Sequence, residues 1–474
     1  MSQPRFVSTR GGVPPAAYEN AILSGLAGDG GLFTLKELPH VSKEWLRLLR
    51  GGRFDYRTLS LELSSLLDGD SIPVQDRRRI INDAFSPDVW GKDPAPVKRL
   101  ERDVHIMELW HGPSAAFKDL PMQPVGREFN YLLQKRGERK TVVVATSGDT
   151  GPAAIEAFRG SPNVDIVVLF PIKGTSPFQG QQISTPTESN VFPVGIEGVF
   201  DDCQALVKVL FRRPELVERL KLSGVNSINW GRIRSQIVYY FHLWGQIARD
   251  DDEIVTIIVP AGNFGNALAG YFAQETGLPI RIVIATNTNR MLTDFIGHGL
   301  YKPASEVVPT ISPSMDINVS SNIERLLFRI TGNDPSAVVA YMKQLAEQGY
   351  YQLRPVHMAN LRATGIRADW ASESECKDWM YHVYKKYGYI IDPHTAAAYA
   401  VFKKMTYVFG QVVILSTASP IKFEDAVRSA GITAELERPA KFIGIEKLPR
   451  PRLVTLPANA DAVEAYLREH LKAA

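Results

Sequence analysis

Two periodicities divide the chain. Between residues 41 and 90 apolar positions recur at helical spacing, as in "LSLELSSLL", so this stretch reads as helices. Ahead of it, "STRGGVPPAAYENAILSGLAGDGGLF" reads as a turn, a helix and a glycine-rich turn. "GKDPAPVKRLERD" is a Pro- and charge-rich connector and marks a domain boundary. Beyond it come short apolar runs rich in β-branched residues: "VHIMEL", "TVVVAT", "VDIVVLF", "EIVTIIVP", "IRIVIAT" and "QVVILST". Helical stretches such as "PAAIEAFRG" and "ALAGYFAQETG" alternate with them. Continuous apolar strands alternating with helices predict an α/β protein whose parallel sheets carry helices on both faces. Residues 310–385 are more helical and polar, and read as an insertion or lid. The expected organisation is a mainly helical N-terminal domain over 1–97 and an α/β region of two subdomains over 98–474.

Composition narrows the setting. The chain has 474 residues, enough for two or three packed units. Its 54 Lys+Arg and 51 Asp+Glu nearly balance, giving +3, and no long basic tract points to nucleic acid or a membrane surface. Two cysteines, Cys203 and Cys376, make no disulfide framework and fit a reducing compartment. "MSQPRFVSTRGGVPPAAYENAIL" lacks an apolar signal core, and no apolar run approaches the roughly 20 residues that cross a bilayer. The expectation is a cytoplasmic protein with a small-molecule partner and no metal.

Chemistry gathers at the strand ends, where open parallel sheets bind ligands. "AGNFGN", residues 261–266, leaves a strand and opens a helix. Its exposed N–H groups and the helix N-terminus suit a phosphate, although such a turn also occurs without a ligand. "TSGDTG", residues 146–151, has the same design with hydroxyls. Ser147, Thr150 and the nearby N–H groups suit a carboxylate, while Ser147 or Asp149 equally reads as a helix cap. "LSTASP" places Ser416 and Thr417 at a buried strand end, where a hydroxyl can meet a neutral ring nitrogen or bond its own backbone. "HGPSAAFKDL" sets Lys118 among small and apolar residues, where desolvation would free a nucleophilic amine. Lysine, anion cup, carboxylate loop and ring-facing hydroxyl together suit pyridoxal phosphate and an amino-acid substrate.

The same residues carry a family resemblance. "ELWHGPSAAFKD", "VVVATSGDTGPAAIEAF", "NSINWGRIRSQIVYYF", "PAGNFGNALAGYFA", "MDINVSSNIERLLF", "DPHTAAAYA" and "TASPIKF" resemble the bacterial and fungal threonine synthases, along nearly the whole chain. The resemblance implies fold type II of the pyridoxal-phosphate enzymes. It implies conversion of O-phospho-L-homoserine and water to L-threonine and phosphate. Lys118 would link to the cofactor. Gly262, Asn263, Phe264, Gly265 and Asn266 would hold it, chiefly by its phosphate, and Thr417 would face its ring nitrogen. Ser147, Gly148, Asp149 and Thr150 would receive the substrate carboxylate. For the substrate phosphate, "PIKGTSPFQGQQ" offers Lys173, Ser176 and Gln179. A monomer is slightly favoured by the resemblance.

Two positions depart from the family pattern. Arg290, in "ATNTNRML", stands where an acid is usual, and Ser419, in "TASPIKF", where histidine is usual. They read first as drift behind the site that leaves the reaction unchanged; otherwise they form a compensating swap near the cofactor, or they redirect the outcome. A redirected enzyme would release 2-oxobutanoate, ammonia and phosphate, or add another nucleophile. A non-catalytic amino-acid-binding paralogue is the remaining alternative, and an intact Lys118 argues against it.

Overall fold

The computed structural model describes residues 6–406 and 410–472. Its larger sheet has six strands, in the order Arg367–Trp370, Ile280–Thr286, Val255–Pro260, Val412–Ser416, Val104–Glu108 and Val97–Glu101. Neighbours run parallel except the last pair, which is antiparallel. The smaller sheet has five parallel strands, ordered Val454–Pro457, Val191–Glu197, Val164–Pro171, Lys140–Ala145 and Leu222–Ser223. Every residue of Val164–Pro171 and of Val255–Pro260 is buried. Helices on both faces of a parallel sheet demand such uninterrupted apolar runs.

The segment 310–385 is not purely helical. It contributes the helices Ile323–Ile330, Pro335–Gln348, Pro355–Ala363 and Glu373–Tyr387, and also the strand Arg367–Trp370. That strand pairs with Ile280–Thr286 and forms an edge of the larger sheet. Its sequence, "RADW", is short and half polar, as an exposed edge permits, so hydrophobic patterning does not reveal it.

The N-terminal part contains the helices Tyr18–Ser24, Lys43–Arg50, Tyr56–Asp68 and Val74–Ala84, with a small antiparallel pair, Phe6–Ser8 and Phe33–Leu35. These helices pack against two long central ones, Asp119–Arg136 and Trp230–Ile247. A wholly buried polar network sits at the junction. Arg234 donates to Glu128 Oε2 (2.6 Å) and to the Tyr18 hydroxyl (2.8 Å), and its Nε lies 3.2 Å from Asp68 Oδ2. Tyr18 also donates to Glu128, and Arg77 lies 4.0 Å from Asp68. Burial pushes the Asp68 carboxyl up to about 6 against the pull of Arg234 and Arg77.

This network fixes the two helices that begin, respectively, just after Lys118 and just before Arg232. Replacing Arg234 by Met would strand Glu128 and Asp68 as buried anions. The expected loss of stability is about 3–5 kcal/mol, read from urea unfolding midpoints at unchanged slope. A loss under about 1 kcal/mol would mean that water, not Arg234, satisfies these carboxylates.

Candidate functional site

Four strand ends and the loops beyond them enclose a cavity of about 930 Å³. Lys118, Ser147, Gly148, Asp149, Thr150, Gly262, Asn263, Phe264, Gly265, Asn266 and Thr417 all line it. Lys118 is placed by lacing between neighbouring loops of the larger sheet. Leu109 N–H donates to Ser416 O (2.9 Å), Phe117 N–H to Thr417 O (2.8 Å) and Ser419 N–H to Ala115 O (3.1 Å). Ala115 takes a positive φ of 59° inside this lacing, a strained conformation held by its surroundings. Lys118 then starts the 18-residue helix Asp119–Arg136.

The neighbourhood of Lys118 sets its charge. Its Nζ lies 3.8 Å from Asp149 Oδ2. Burial lowers its pKa to about 8; Asp149 opposes that shift, while Arg232 and Lys422 add to it. A large fraction of the amine is therefore neutral near pH 8, as a nucleophile requires. The next residue, Asp119, is fully buried, accepts from Ser114 N–H (2.8 Å), and is pushed up to about 7 by burial.

Asp149 does not serve as a helix cap: its side chain makes no capping bond to the helix Thr150–Phe158. Thr146 organises that turn instead, its Oγ1 accepting from Gly148 N–H (3.0 Å) and Gly151 N–H (3.1 Å). The Asp149 carboxylate is committed elsewhere. Lys422 Nζ contacts Oδ1 at 2.8 Å, and Gln179 Nε2 donates to the same oxygen at 2.7 Å. Ser314 Oγ donates to Oδ2 at 3.4 Å. Burial alone would raise this carboxyl, but the Lys422 and Lys118 ammonium groups outweigh it and hold it well below the usual carboxylate range. An ionised carboxylate cannot receive another. The expected substrate-carboxylate role is thus corrected for the Asp149 side chain and stays open for Ser147, Gly148 and Thr150 around it.

The turn at residues 261–266 has its own strain. Phe264 adopts φ 61°, ψ 0° before the helix Gly265–Glu275, whose first turn carries no acidic residue. At Gly262 an added Cβ would lie 2.8 Å from Ile317 and from Ser314 O, so only glycine fits. Gly265 is less constrained; its nearest neighbour would be Asn322 Nδ2 at 3.3 Å. Of the two hydroxyls at the end of Val412–Ser416, only Thr417 faces the cavity. Ser416 Oγ accepts from Trp110 and Thr395, both at 3.0 Å.

Other expectations do not survive. Lys173 follows the central strand of the smaller sheet, but its side chain is exposed and does not line the cavity. Ser176 caps the helix Pro177–Ser184, accepting from Gln179 N–H (3.3 Å). Ser419 is buried beside the lacing but does not line the cavity. Arg290 is exposed, 5.2 Å from the Trp370 ring and 3.8 Å from Asp294. The compensating swap therefore has no geometry behind it.

Further residues line the cavity that local sequence does not mark as a site, Arg232 and His394 foremost. Arg232 is 2 % exposed, donates to Val225 O (3.0 Å), and has a buried Nε without a partner. No carboxylate among the described residues pairs with it, and burial lowers its pKa to about 10. A buried unpaired guanidinium facing a cavity calls for an anionic ligand. Asn226 and Ser227 line the cavity on the same loop. His394 is also buried there; its Nδ1 meets Asp392 Oδ2 at 2.6 Å and its Nε2 accepts from Ser314 N–H at 3.2 Å. Those partners define a neutral ring protonated at Nδ1. The available signal was a polar residue inside otherwise apolar helix starts, "NWGRIRS" and "DPHTAAA".

Comparison with known proteins bears on this arrangement. The family described as "Threonine synthase N terminus" matches residues 5–85, "Pyridoxal-phosphate dependent enzyme" residues 92–417, and "Threonine synthase, C-terminal" residues 395–467. A threonine synthase of Methylobacillus glycogenes is 35% identical, over 98% of this chain and all of its own length. The structure of a threonine synthase from Brucella melitensis with bound pyridoxal phosphate superposes with a TM-score of 0.93 at 40% identity, covering 98% of this chain and 99% of its own. The yeast threonine synthase structure gives 0.93 at 34% identity, covering 99% of each. In the cofactor-free protein, Lys118 is expected to react with an amine-selective acylating reagent half-maximally near pH 8. Ordinary lysines reach that point near ~10.4. Peptide mass spectrometry across pH reads the difference, and a Lys118 midpoint near that of surface lysines contradicts the cavity electrostatics.

Proposed function

The chain belongs to the threonine synthase family of pyridoxal-phosphate-dependent lyases, and from that membership we propose how its residues divide the work on O-phospho-L-homoserine. Three observations fit the cofactor. Lys118 is a desolvated amine, Asn266 Nδ2 is a buried donor without a protein partner, and the N-terminus of Gly265–Glu275 is free of acidic residues. Lys118 would bind the cofactor aldehyde, Gly262–Asn266 its phosphate, and the Thr417 hydroxyl its ring nitrogen without adding charge. When bound, the cofactor supplies an electron sink beside the substrate α-carbon.

The remaining work falls to the chain. Ser147, Gly148 and Thr150 hold the substrate carboxylate. Lys118 Nζ would take the α-proton and then the β-proton as phosphate leaves, and would return protons to the γ- and α-carbons. Asp149, fixed by Lys422, keeps an anion beside that amine, so the ammonium form that Lys118 passes through is stabilised. Arg232, with Asn226 and Ser227, binds the substrate phosphate and holds it as it leaves. The unpaired burial of Arg232 is the observation that carries this assignment. Water then adds at the β-carbon.

Cys203 and Cys376 are buried free thiols, which fits a cytoplasmic setting. No described helix is long and apolar enough to cross a membrane.

Product analysis with purified protein and O-phosphohomoserine tests the reading. Threonine and phosphate are expected in equal amounts; phosphate with 2-oxobutanoate and little threonine overturns the water-addition step. Lys118→Ala should lower turnover by about 10³-fold or more with the fold intact, and near wild-type activity would remove Lys118 from the chemistry. Arg232→Gln should lower kcat/KM by about 10–100-fold, the worth of a hydrogen bond to a charged group. An unchanged value would place the substrate phosphate elsewhere.

A further inference from the structure

Asn266 is held in an unusual way. It is the second residue of the helix Gly265–Glu275, is 6 % exposed, and lines the cavity. Its Oδ1 accepts two phenol hydrogen bonds at once, from Tyr239 (2.6 Å) and Tyr240 (2.7 Å). Its Nδ2 is buried and has no partner in the protein. Buried donors are almost always satisfied in folded proteins, so this one marks a place for an acceptor that the chain itself does not provide.

The two tyrosines are adjacent on the helix Trp230–Ile247, where neighbouring side chains diverge by about 100°. Both nonetheless bring their hydroxyls to one oxygen, with ring centroids 5.0 Å apart. Both rings are completely buried. Each hydroxyl has one proton and a second acceptor nearby, Gln236 Oε1 at 3.3 Å for Tyr239 and Asn266 O at 2.9 Å for Tyr240, and in both cases Asn266 Oδ1 is the nearer. We propose that Tyr239 and Tyr240 are positioning residues that hold the Asn266 amide with its oxygen turned to the protein and its N–H₂ group presented to the cofactor phosphate. The inference rests on the reading of Gly262–Asn266 as the phosphate cup. An anion on the Nδ2 side reinforces the clamp, because the reversed amide would set a carbonyl oxygen against it. Burial pushes both phenols well above their usual pKa, so both keep the protons that the clamp uses.

The test uses the full-length protein, stripped of cofactor and retitrated by tryptophan fluorescence. Wild type, Tyr239→Phe, Tyr240→Phe and the double variant are compared with two probes, pyridoxal phosphate and pyridoxal, which lacks the phosphate. Wild type should prefer pyridoxal phosphate; a wild type that binds both alike overturns the cup and the clamp together. The double variant should lose about tenfold or more of that preference and each single variant less, with pyridoxal affinity unchanged. In an Asn266→Ala background the tyrosine substitutions should have no further effect. Retention of the wild-type preference by the double variant overturns the clamp while the cup stands. So does equal weakening for both probes, and so does a tyrosine effect of undiminished size in the Asn266→Ala background. If the double variant misfolds, the single variants carry the same comparison.

Discussion

The contact between Lys422 Nζ and Asp149 Oδ1, at 2.8 Å, joins the two sheets at the point where they meet the cavity. Asp149 follows a strand of the smaller sheet and Lys422 follows a strand of the larger one. Both side chains are almost completely withdrawn from water. Neither charge is tolerable there alone, since an unpaired buried ion costs several kcal/mol, on the order of 3–5 when one partner is removed. The pair therefore does more than add attraction. It sets how the two sheets face each other, and so the width of the cavity and the distance from Asp149 to Lys118. The remaining lone pairs of Asp149 are met by Gln179 and Ser314, one from each side of the cavity.

Both cations and carboxylates face the cavity, but they are not all paired. Asp149 answers Lys118 and, from behind the cavity wall, Lys422. Arg232 has no counter-ion among the described residues, and Asn266 Nδ2 has no acceptor. Such a site is electrostatically incomplete until anions arrive, which is what two phosphates and a carboxylate would supply. His394, neutral and fixed by Asp392 and Ser314, shapes the wall without adding to the charge.

Much of this was legible in the sequence because it is local. A β-branched run followed by Gly, Ser or Thr and then a helical pattern announces a strand end, and residues 146–150, residues 262–266 and Thr417 all line the cavity. What stayed hidden depends on which strand lies beside which. Lys173 also follows a strand, the central one of its sheet, but its side chain is exposed. Arg232 and His394 reach the cavity from helix starts, and Lys422 reaches Asp149 from a 3₁₀ turn, so their meeting depends on tertiary packing. Val191–Glu197, "VFPVGIE", is interrupted by proline and glycine, and Arg367–Trp370 is half polar. Both are strands because a neighbouring strand pairs with them. Arg290 and Ser419 show the converse: a departure from a family pattern carries weight only where the residue faces the chemistry.

The order in which the strands occur along the chain has a further consequence. The smaller sheet starts at Lys140–Ala145, yet its edge strand is Val454–Pro457, almost the last element made. Lys422 likewise belongs to the final part of the chain. During synthesis, the half of the site that contains Lys118 and Asp149 leaves the ribosome long before the cation that neutralises Asp149 and the strand that closes the sheet. With domains generally folding as units while the chain emerges, Asp149 can be sealed from water only after Lys422, far along the chain, has been made. Until that long loop is drawn in, the carboxylate stays solvated and the smaller sheet stays open at one edge.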